Sequence, residues 1–377
     1  MGDAMLFDEM RIGTLTARNR AIRAATAESL ATQAGRPTSR LFALYDELAR
    51  GGVGTIITGY AYASRDGKPS EGALGLYDDA FLDDYRDLAK SVHDAGARIV
   101  LQLAYGGSKS KLAPDDERRL VPATETPQDW VPNVSVLGAS ALENLKTHLV
   151  PTEATPDDLA RVAGDFGEAA ARAQACGFDG VELHVAHGYL LSQFLSRWFN
   201  VRTDDYGGSL ESRARFAVEC MRAIRSATGP DYPVFAKVNS CDDREDPAGA
   251  RGGLSEDDSA RVCAWLVQAG ATCIEVSGDW HSVPSRDVAG DPFFAGFGAR
   301  LVRELNAPIV VTGGWRRLDT IEEHLQSGGF AGIGMSRPFI REPDLVNRWQ
   351  AGRTKPSRCT ACGYCQKYRG IPCVFRQ

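Results

Sequence analysis

Gly177 to Leu191 reads GFDGVELHVAHGYLL and sets two imidazoles and a phenol, His184, His187 and Tyr189, within six positions. Imidazole donates or accepts a hydrogen bond near neutral pH, and a held phenol is a proton source. The trio is suited to gripping and protonating a small molecule. Two glycine-rich stretches carry a second kind of chemistry: Val311-Thr312-Gly313-Gly314 and Gly332-Ile333-Gly334-Met335-Ser336-Arg337. Glycine lets backbone N–H groups approach an anion closely, and Arg337 adds a bidentate charged donor. Either stretch alone reads equally well as a tight turn; their joint position favours a phosphate site.

The elements that must hold these groups are legible from period and punctuation. Leu6 to Leu15 alternates around Gly13 and reads as a hairpin. Short apolar runs then recur at Ala21–Ala25, Val53–Thr58, Arg98–Leu103, Val181–Leu183, Pro233–Val238, Thr272–Val276, Pro308–Thr312 and Gly329–Met335. Helical stretches separate them, at Leu41–Arg50, Asp79–Ala95, Thr155–Cys176, Leu190–Phe199, Leu210–Thr228, onward from Ser255, Phe294–Leu305 and Leu318–Ser327. Eight strands alternating with helices predict an α/β fold, a (β/α)8 TIM barrel with an N-terminal hairpin and a short cysteine-rich C-terminal tail. The boundaries are 1–350 for the barrel and 351–377 for the tail. An open doubly wound sheet is the alternative, but its GxGxxG fingerprint is absent after the first strand. In a barrel, functional groups gather where strands end, and loops seven and eight often bind phosphate. Thr26, Gly59-Tyr60, Gln102, His184, Lys237, Ser277-Gly278, Gly313-Gly314 and Ser336-Arg337 all fall at strand ends. The connection from Lys109 to Glu153 is long and proline-punctuated, the sign of a functional loop or lid.

The totals narrow the class. The chain has 377 residues, 43% hydrophobic and 24% charged, with net charge −6 and pI near 5.6. There is no basic footprint for nucleic acid and no run long enough for a membrane span. MGDAMLFDEM has acids and no apolar core, so no signal peptide is expected and a cytoplasmic protein is the default. Cys176, Cys220, Cys241, Cys263 and Cys273 are scattered and read as reduced core residues. Cys359, Cys362, Cys365 and Cys373 crowd the last twenty positions. No third histidine or carboxylate is spaced to complete a zinc set with His184 and His187.

The central signature, His184-Val185-Ala186-His187-Gly188-Tyr189-Leu190-Leu191-Ser192-Gln193-Phe194-Leu195-Ser196 with Asn200 and Arg202 to Phe216, resembles the Old Yellow Enzyme family of NAD(P)H:flavin oxidoreductases. Asn19-Arg20, Gln102 within RIVLQLAYGG, and SRPFIREPDL from Ser336 to Leu345 extend the resemblance over nearly the whole barrel. It implies FMN across the C-terminal mouth and NAD(P)H as reductant. By position, Gln102 would meet the pyrimidine edge of the flavin and Lys237 its N1 and O2. Gly313, Gly314, Ser336 and Arg337 would hold the phosphate, while Ala25, Thr26 and Tyr60 line the ring. His184 and His187 would bind a substrate carbonyl oxygen, and Tyr189 would be the proton donor. The implied reaction passes hydride from flavin N5 to an electron-poor alkene, with the imidazoles stabilising charge on the oxygen. A cation at Lys237 would favour the anionic reduced flavin.

Ala27 and Tyr105 depart from the family pattern, standing where many relatives have Thr or Cys and His respectively. The tail, Cys359-x2-Cys362-x2-Cys365-x7-Cys373, resembles the iron–sulfur segment of larger members such as 2,4-dienoyl-CoA reductase, with a shorter last gap. It leaves open a [4Fe–4S] cluster, zinc, or a reduced cysteine group. The competing functional readings are an electron carrier or subunit that uses such a cluster, and a barrel enzyme of another class acting on a sugar phosphate. The expected partners are NAD(P)H and a small-molecule alkene, and a homo-oligomer is compatible with the sequence. Trp280-His281 and Phe293-Phe294 are further candidates for substrate contact.

Overall fold

The computed structural model describes residues 5–110, 136–242, 252–278, 292–367, 370 and 373–376. Eight parallel strands close into a barrel, counted first to eighth from here: Ala21–Arg23, Thr55–Ile57, Arg98–Ala104, Gly180–Val185, Val234–Asn239, Cys273–Ser277, Ile309–Thr312 and Gly332–Met335. Each pairs in parallel with the next, and the eighth returns to the first at Ile333↔Ala21. The hairpin is Met10–Ile12 against Leu15–Ala17, and Gly13 takes the positive φ (58°) its turn requires.

Side chains alternate across each strand, and here the alternation sorts the core. Ile99, Leu101 and Leu103 on the third strand, and Val181, Leu183 and Val185 on the fourth, belong to the main apolar core that the helices cover. The opposite faces point to the barrel axis. Val100, Phe235, Cys273 and Val310 form a second apolar cluster with Met10, Ile12, Leu15 and Ala17. The hairpin therefore stoppers the N-terminal end of the barrel with hydrocarbon. Two residues further along the same strands the inward positions turn polar: Gln102, Lys237, Glu275 and Thr312. Glu182, paired with Gln102 in register, joins them.

The helices start where side chains satisfy their free N–H groups. Thr155 accepts from the Asp158 backbone and Asp158 reaches back to Thr155, a reciprocal cap for Pro156–Ala175. Ser209 and Ser255 cap Leu210–Thr228 and Glu256–Gln268 one way only, accepting from the Ser212 and Asp258 backbone N–H groups. The helix expected at Asp79–Ala95 is divided. Asp78 accepts from the Ala80 N–H and winds Asp79–Phe81 as a 3₁₀ turn before the α-helix Leu82–Asp94. The helix expected to reach Phe199 stops at Leu195, where Ser196 turns extended and donates to Asp242 (2.6 Å). No helix among the described residues is long and apolar enough to cross a membrane.

The tail folds back against the barrel. Buried Glu342 accepts from the Ser357 hydroxyl (3.0 Å) and the Arg358 guanidinium (3.0 Å), and the Gly370 N–H donates to the Glu28 carbonyl (2.7 Å).

Candidate active site

The fourth strand delivers the central trio. Glu182 and His184 share its inward face, and the chain turns sharply at His187 (φ 60°) and Gly188 (φ 73°). A left-handed conformation at a non-glycine residue is uncommon and needs support. Asn239 at the end of the fifth strand supplies it, accepting from the His187 N–H (3.1 Å), and Gln193 donates to the Gly188 carbonyl (2.7 Å). Tyr189 then begins the helix Leu190–Leu195. The turn brings the three rings together: His184 to His187 5.0 Å between centroids, and His184 to Tyr189 5.0 Å.

Their surroundings decide their states. Burial first, then the positive fields of His187, Lys237 and Lys109, holds His184 well below the usual imidazole range, so it is neutral. Its Nδ1 is buried with no hydrogen-bond partner among the described residues. His187 Nε2 pairs with the Ser277 hydroxyl (3.0 Å). Tyr60 packs edge-on to Tyr189 at 5.4 Å, hydrogen-bonds to it, and pairs with Ser70 (2.9 Å). Burial raises the Tyr60 phenol, and these hydrogen bonds partly offset the rise. Lys109 lies over the Tyr189 ring, 4.8 Å from its centroid, and donates to the His187 carbonyl. Trp280-His281 lies outside the described residues; Phe293 and Phe294 pack beside Gly313.

Below the trio is a closed polar floor. Gln102 Nε2 donates to Glu182 Oε1 (2.6 Å), Lys237 Nζ meets Glu275 Oε1 (2.7 Å) and Glu182 Oε1 (4.0 Å), and Thr312 donates to Glu275 Oε1 (2.7 Å). Lys237, the cation expected near the flavin, is thus an ion-paired ammonium. Residue-by-residue reading missed Glu182 and Glu275. Their signal was available: VELHV and CIEVS each set one acid inside an otherwise apolar strand. It also missed Lys109, because nothing in its neighbourhood marks it.

The opposite side of the mouth holds the anion-type groups. Gly313 (φ 127°) and Gly314 (φ 86°) adopt conformations that favour glycine, and a Cβ at Gly334 would lie 1.6 Å from Thr312 Oγ1. Thr26 and Ser336 join through their hydroxyls, and Arg23 donates to Ser336 (3.1 Å). Ala25 follows the first strand beside Thr26. Arg337 opens the short helix Arg337–Arg341 and lies near enough to Cys359 and Cys365 to affect them. Burial, first, pushes both thiols up, so they favour the neutral form. Among the described residues no three His, Cys, Asp or Glu side chains stand together as a metal site, Cys362 and Cys373 included.

A closed parallel barrel with polar groups gathered at the C-terminal ends of its strands has the layout of a barrel enzyme. The model of the NADH:flavin oxidoreductase / NADH oxidase family matches residues 5–356, and the chain belongs to that family. It is 33% identical to an NADH oxidase of Thermoanaerobacter brockii over 95% of this chain and 52% of that protein. It is 30% identical to a 4,4'-dithiodibutanoate disulfide reductase of Rhodococcus erythropolis over 98% of this chain and 95% of that one. A 2-naphthoyl-CoA reductase structure superposes with TM-score 0.82 at 26% identity, covering 95% of this chain and 54% of that one. The chain thus spans about half the length of the NADH oxidase and of the naphthoyl-CoA reductase. Family membership implies FMN as cofactor and NAD(P)H as reductant. The residues present fit that group: Gly313 and Gly314 take backbone conformations that favour glycine, and the hydroxyl of Ser336 and the cations Arg23 and Arg337 stand at the same side of the mouth.

Proposed function

We propose that this chain is an FMN-dependent oxidoreductase that takes reducing equivalents from NAD(P)H and delivers hydride to an electron-poor, α,β-unsaturated alkene, with Tyr189 as proton donor. The observation carrying this reading is the convergence of His184, His187 and Tyr189 over a polar floor, with ring centroids 5.0 Å apart. Gln102, Lys237, Gly313, Gly314, Ser336 and Arg337, with Ala25, Thr26 and Tyr60 beside the ring, would hold FMN. Bound there, FMN supplies the hydride transfer.

The chain's own groups do the rest. His184 is neutral, so it meets the acceptor's carbonyl oxygen as a hydrogen-bond donor without adding a full charge. His187, fixed from behind by Asn239 and Ser277, gives the second donor. Two donors aimed where negative charge gathers lower the barrier, each by ~3–4 kcal/mol. Tyr189 then hands its proton to the α-carbon. The phenolate left behind is stabilised by the Tyr60 hydroxyl and by the Lys109 ammonium over the ring. One structural relative was captured with 2-naphthoyl-CoA, a conjugated acyl thioester and thus an acceptor of the same electronic class.

In Tyr189→Phe, stopped-flow reduction of the flavin by NAD(P)H is expected to be unchanged while alkene turnover falls by ~10²–10⁴-fold. Unchanged alkene turnover removes Tyr189 from the role. A colourless protein that refuses FMN removes the whole reading. The competing reading, an electron carrier using the cysteine tail, rests on Cys359, Cys362, Cys365 and Cys373. It requires stoichiometric iron and acid-labile sulfide in anaerobically purified protein.

A further inference from the structure

The floor beneath the trio contains two buried carboxyls and one ammonium. Glu182 and Glu275 are both 0% exposed and Lys237 is 1% exposed. Two carboxylates beside a single ammonium leave one negative charge unbalanced in a fully buried site, which is costly. The hydrogen bonds indicate how the cost is avoided. Oε1 of each carboxyl is taken, by Gln102 on Glu182 and by Lys237 and Thr312 on Glu275. Oε2 of each is buried and has no donor among the described residues. Oε1 of both carboxyls faces the same ammonium, Lys237 Nζ, at 2.7 Å for Glu275 and 4.0 Å for Glu182, which sets the two carboxyls side by side. Two carboxylate oxygens do not attract each other unless a proton lies between them.

We propose that Glu182 and Glu275 share a single proton beneath the barrel mouth, and that Glu275, as a positioning residue acting through Lys237, keeps this floor electrically neutral. The proton resides mainly on Glu182. Burial, then the neighbouring Glu275 charge, holds Glu182 well above the usual carboxylate range. Burial pushes Glu275 the same way but is outweighed by Lys237 and by hydrogen bonds from Glu182, Lys237 and Thr312, so Glu275 lies below it. The other ionisable groups facing the pair do not supply a second positive charge at its carboxyls. Cys273, one rung below, is held neutral by burial and by both acids. His184, one rung above, is neutral. Arg23 is buried against Glu28 (3.5 Å) and acts on Lys237 only at a distance.

The arrangement makes the two carboxyls interchangeable as counter-ion. In Glu182→Gln the amide copies the protonated acid, donating to Glu275 while still accepting from Gln102. In Glu275→Gln, Glu182 ionises and takes over Lys237. Only when both are neutral does the ammonium lose its partner. Resting on the flavin reading above, FMN over this floor would face a neutral pair, and its potential would rise only when both carboxyls are removed.

The test begins with apo-protein and needs no turnover. An infrared spectrum at about pH 8.5, where Glu28 with its value near 7 is ionised, is expected to contain a protonated carboxylic acid band. The band disappears in Glu182→Gln and in Glu275→Gln alike. Each single variant melts within ~5 °C of the parent, whereas the double variant melts roughly 6–12 °C lower. Absence of the band in the parent, its survival in both single variants, or additive melting losses overturns the shared proton. The midpoint potential of bound FMN separates the two readings. A shift in the double variant alone supports both, and an unmoved potential with the apo results intact places the flavin elsewhere.

Discussion

The rim and the floor of the barrel mouth are carried by the same strands but dispose of their polarity in opposite ways. On the fourth strand His184 and Glu182 are two residues apart and face the same way. His184 keeps Nδ1 without a hydrogen-bond partner among the described residues, while Glu182 is engaged by Gln102 and drawn to Lys237. On the sixth strand Ser277 supports His187 at the rim, and Glu275 holds Lys237 below it. The floor is tied together by Gln102, Lys237 and Thr312 and so presents a fixed field. The rim brings two imidazoles and a phenol together at one point of the mouth. Preorganisation of this kind is inexpensive at the moment of reaction because the charges below need not move when charge develops above.

Two substitutions attack the two layers separately. Lys237→Met strips the floor of its ammonium and is expected to have the largest effect, a loss of about 3–5 kcal/mol in urea unfolding. Its pH dependence has a definite sign. Without the ammonium, Glu275 also favours its neutral form, so its folded value rises above the unfolded ~4.3. Stability is then complete below that value and lost as pH rises, so the defect is smaller at about pH 5 than at about pH 8. An equal defect at both would mean that Glu275 is not the group Lys237 balances. His184→Ala leaves the floor intact. Acceptor turnover falls by ~10²–10³-fold, and the unfolding midpoint moves far less than in Lys237→Met. A variant that lost stability and kept turnover would place His184 in the structural layer.

The rim was legible in the sequence because its chemistry is local. His184 stands at the end of one strand and His187 and Tyr189 follow in the turn after it, and strand, turn and helix are written in consecutive residues. The eight strands and the stoppering hairpin were legible for the same reason, since apolar runs and glycine turns are short-range signals. The floor was not. Glu182 and Glu275 are 93 positions apart and meet only because the barrel closes. Lys237 was visible as a strand-end cation, but its partner was not, so its charge was read without its counter-ion. The split of the expected Asp79–Ala95 helix turned on one Asp78 side chain, a choice between two cap geometries that periodicity does not resolve.

Glu28 lies between the two layers in character, and it refines the contrast. It is buried against Arg23, and burial pushes its carboxyl up to about 7 despite that ion pair. A raised carboxyl stabilises the fold fully below its unfolded value and loses that contribution as pH rises through about 7. In Glu28→Gln that loss is removed. The difference between parent and variant should therefore change with pH between ~4.5 and ~7, by an amount on the order of 3 kcal/mol. Urea unfolding across that range reads the slope, and a flat difference would mean that Glu28 stays ionised throughout.

Thr312→Val is the mildest and most selective probe of the floor. Valine keeps the shape of threonine but removes the hydroxyl that donates to Glu275 Oε1 (2.7 Å), leaving Lys237 in place. A hydrogen bond to a charged group contributes ~1.5–3 kcal/mol, so unfolding free energy should drop by about that much. Turnover per folded molecule should stay close to the parent's, because Thr312 is committed downward to Glu275 and is crowded from the side by Gly334. The opposite result, intact stability with lost turnover, would move Thr312 to the rim and dissolve the separation between a layer that balances charge and a layer that offers it.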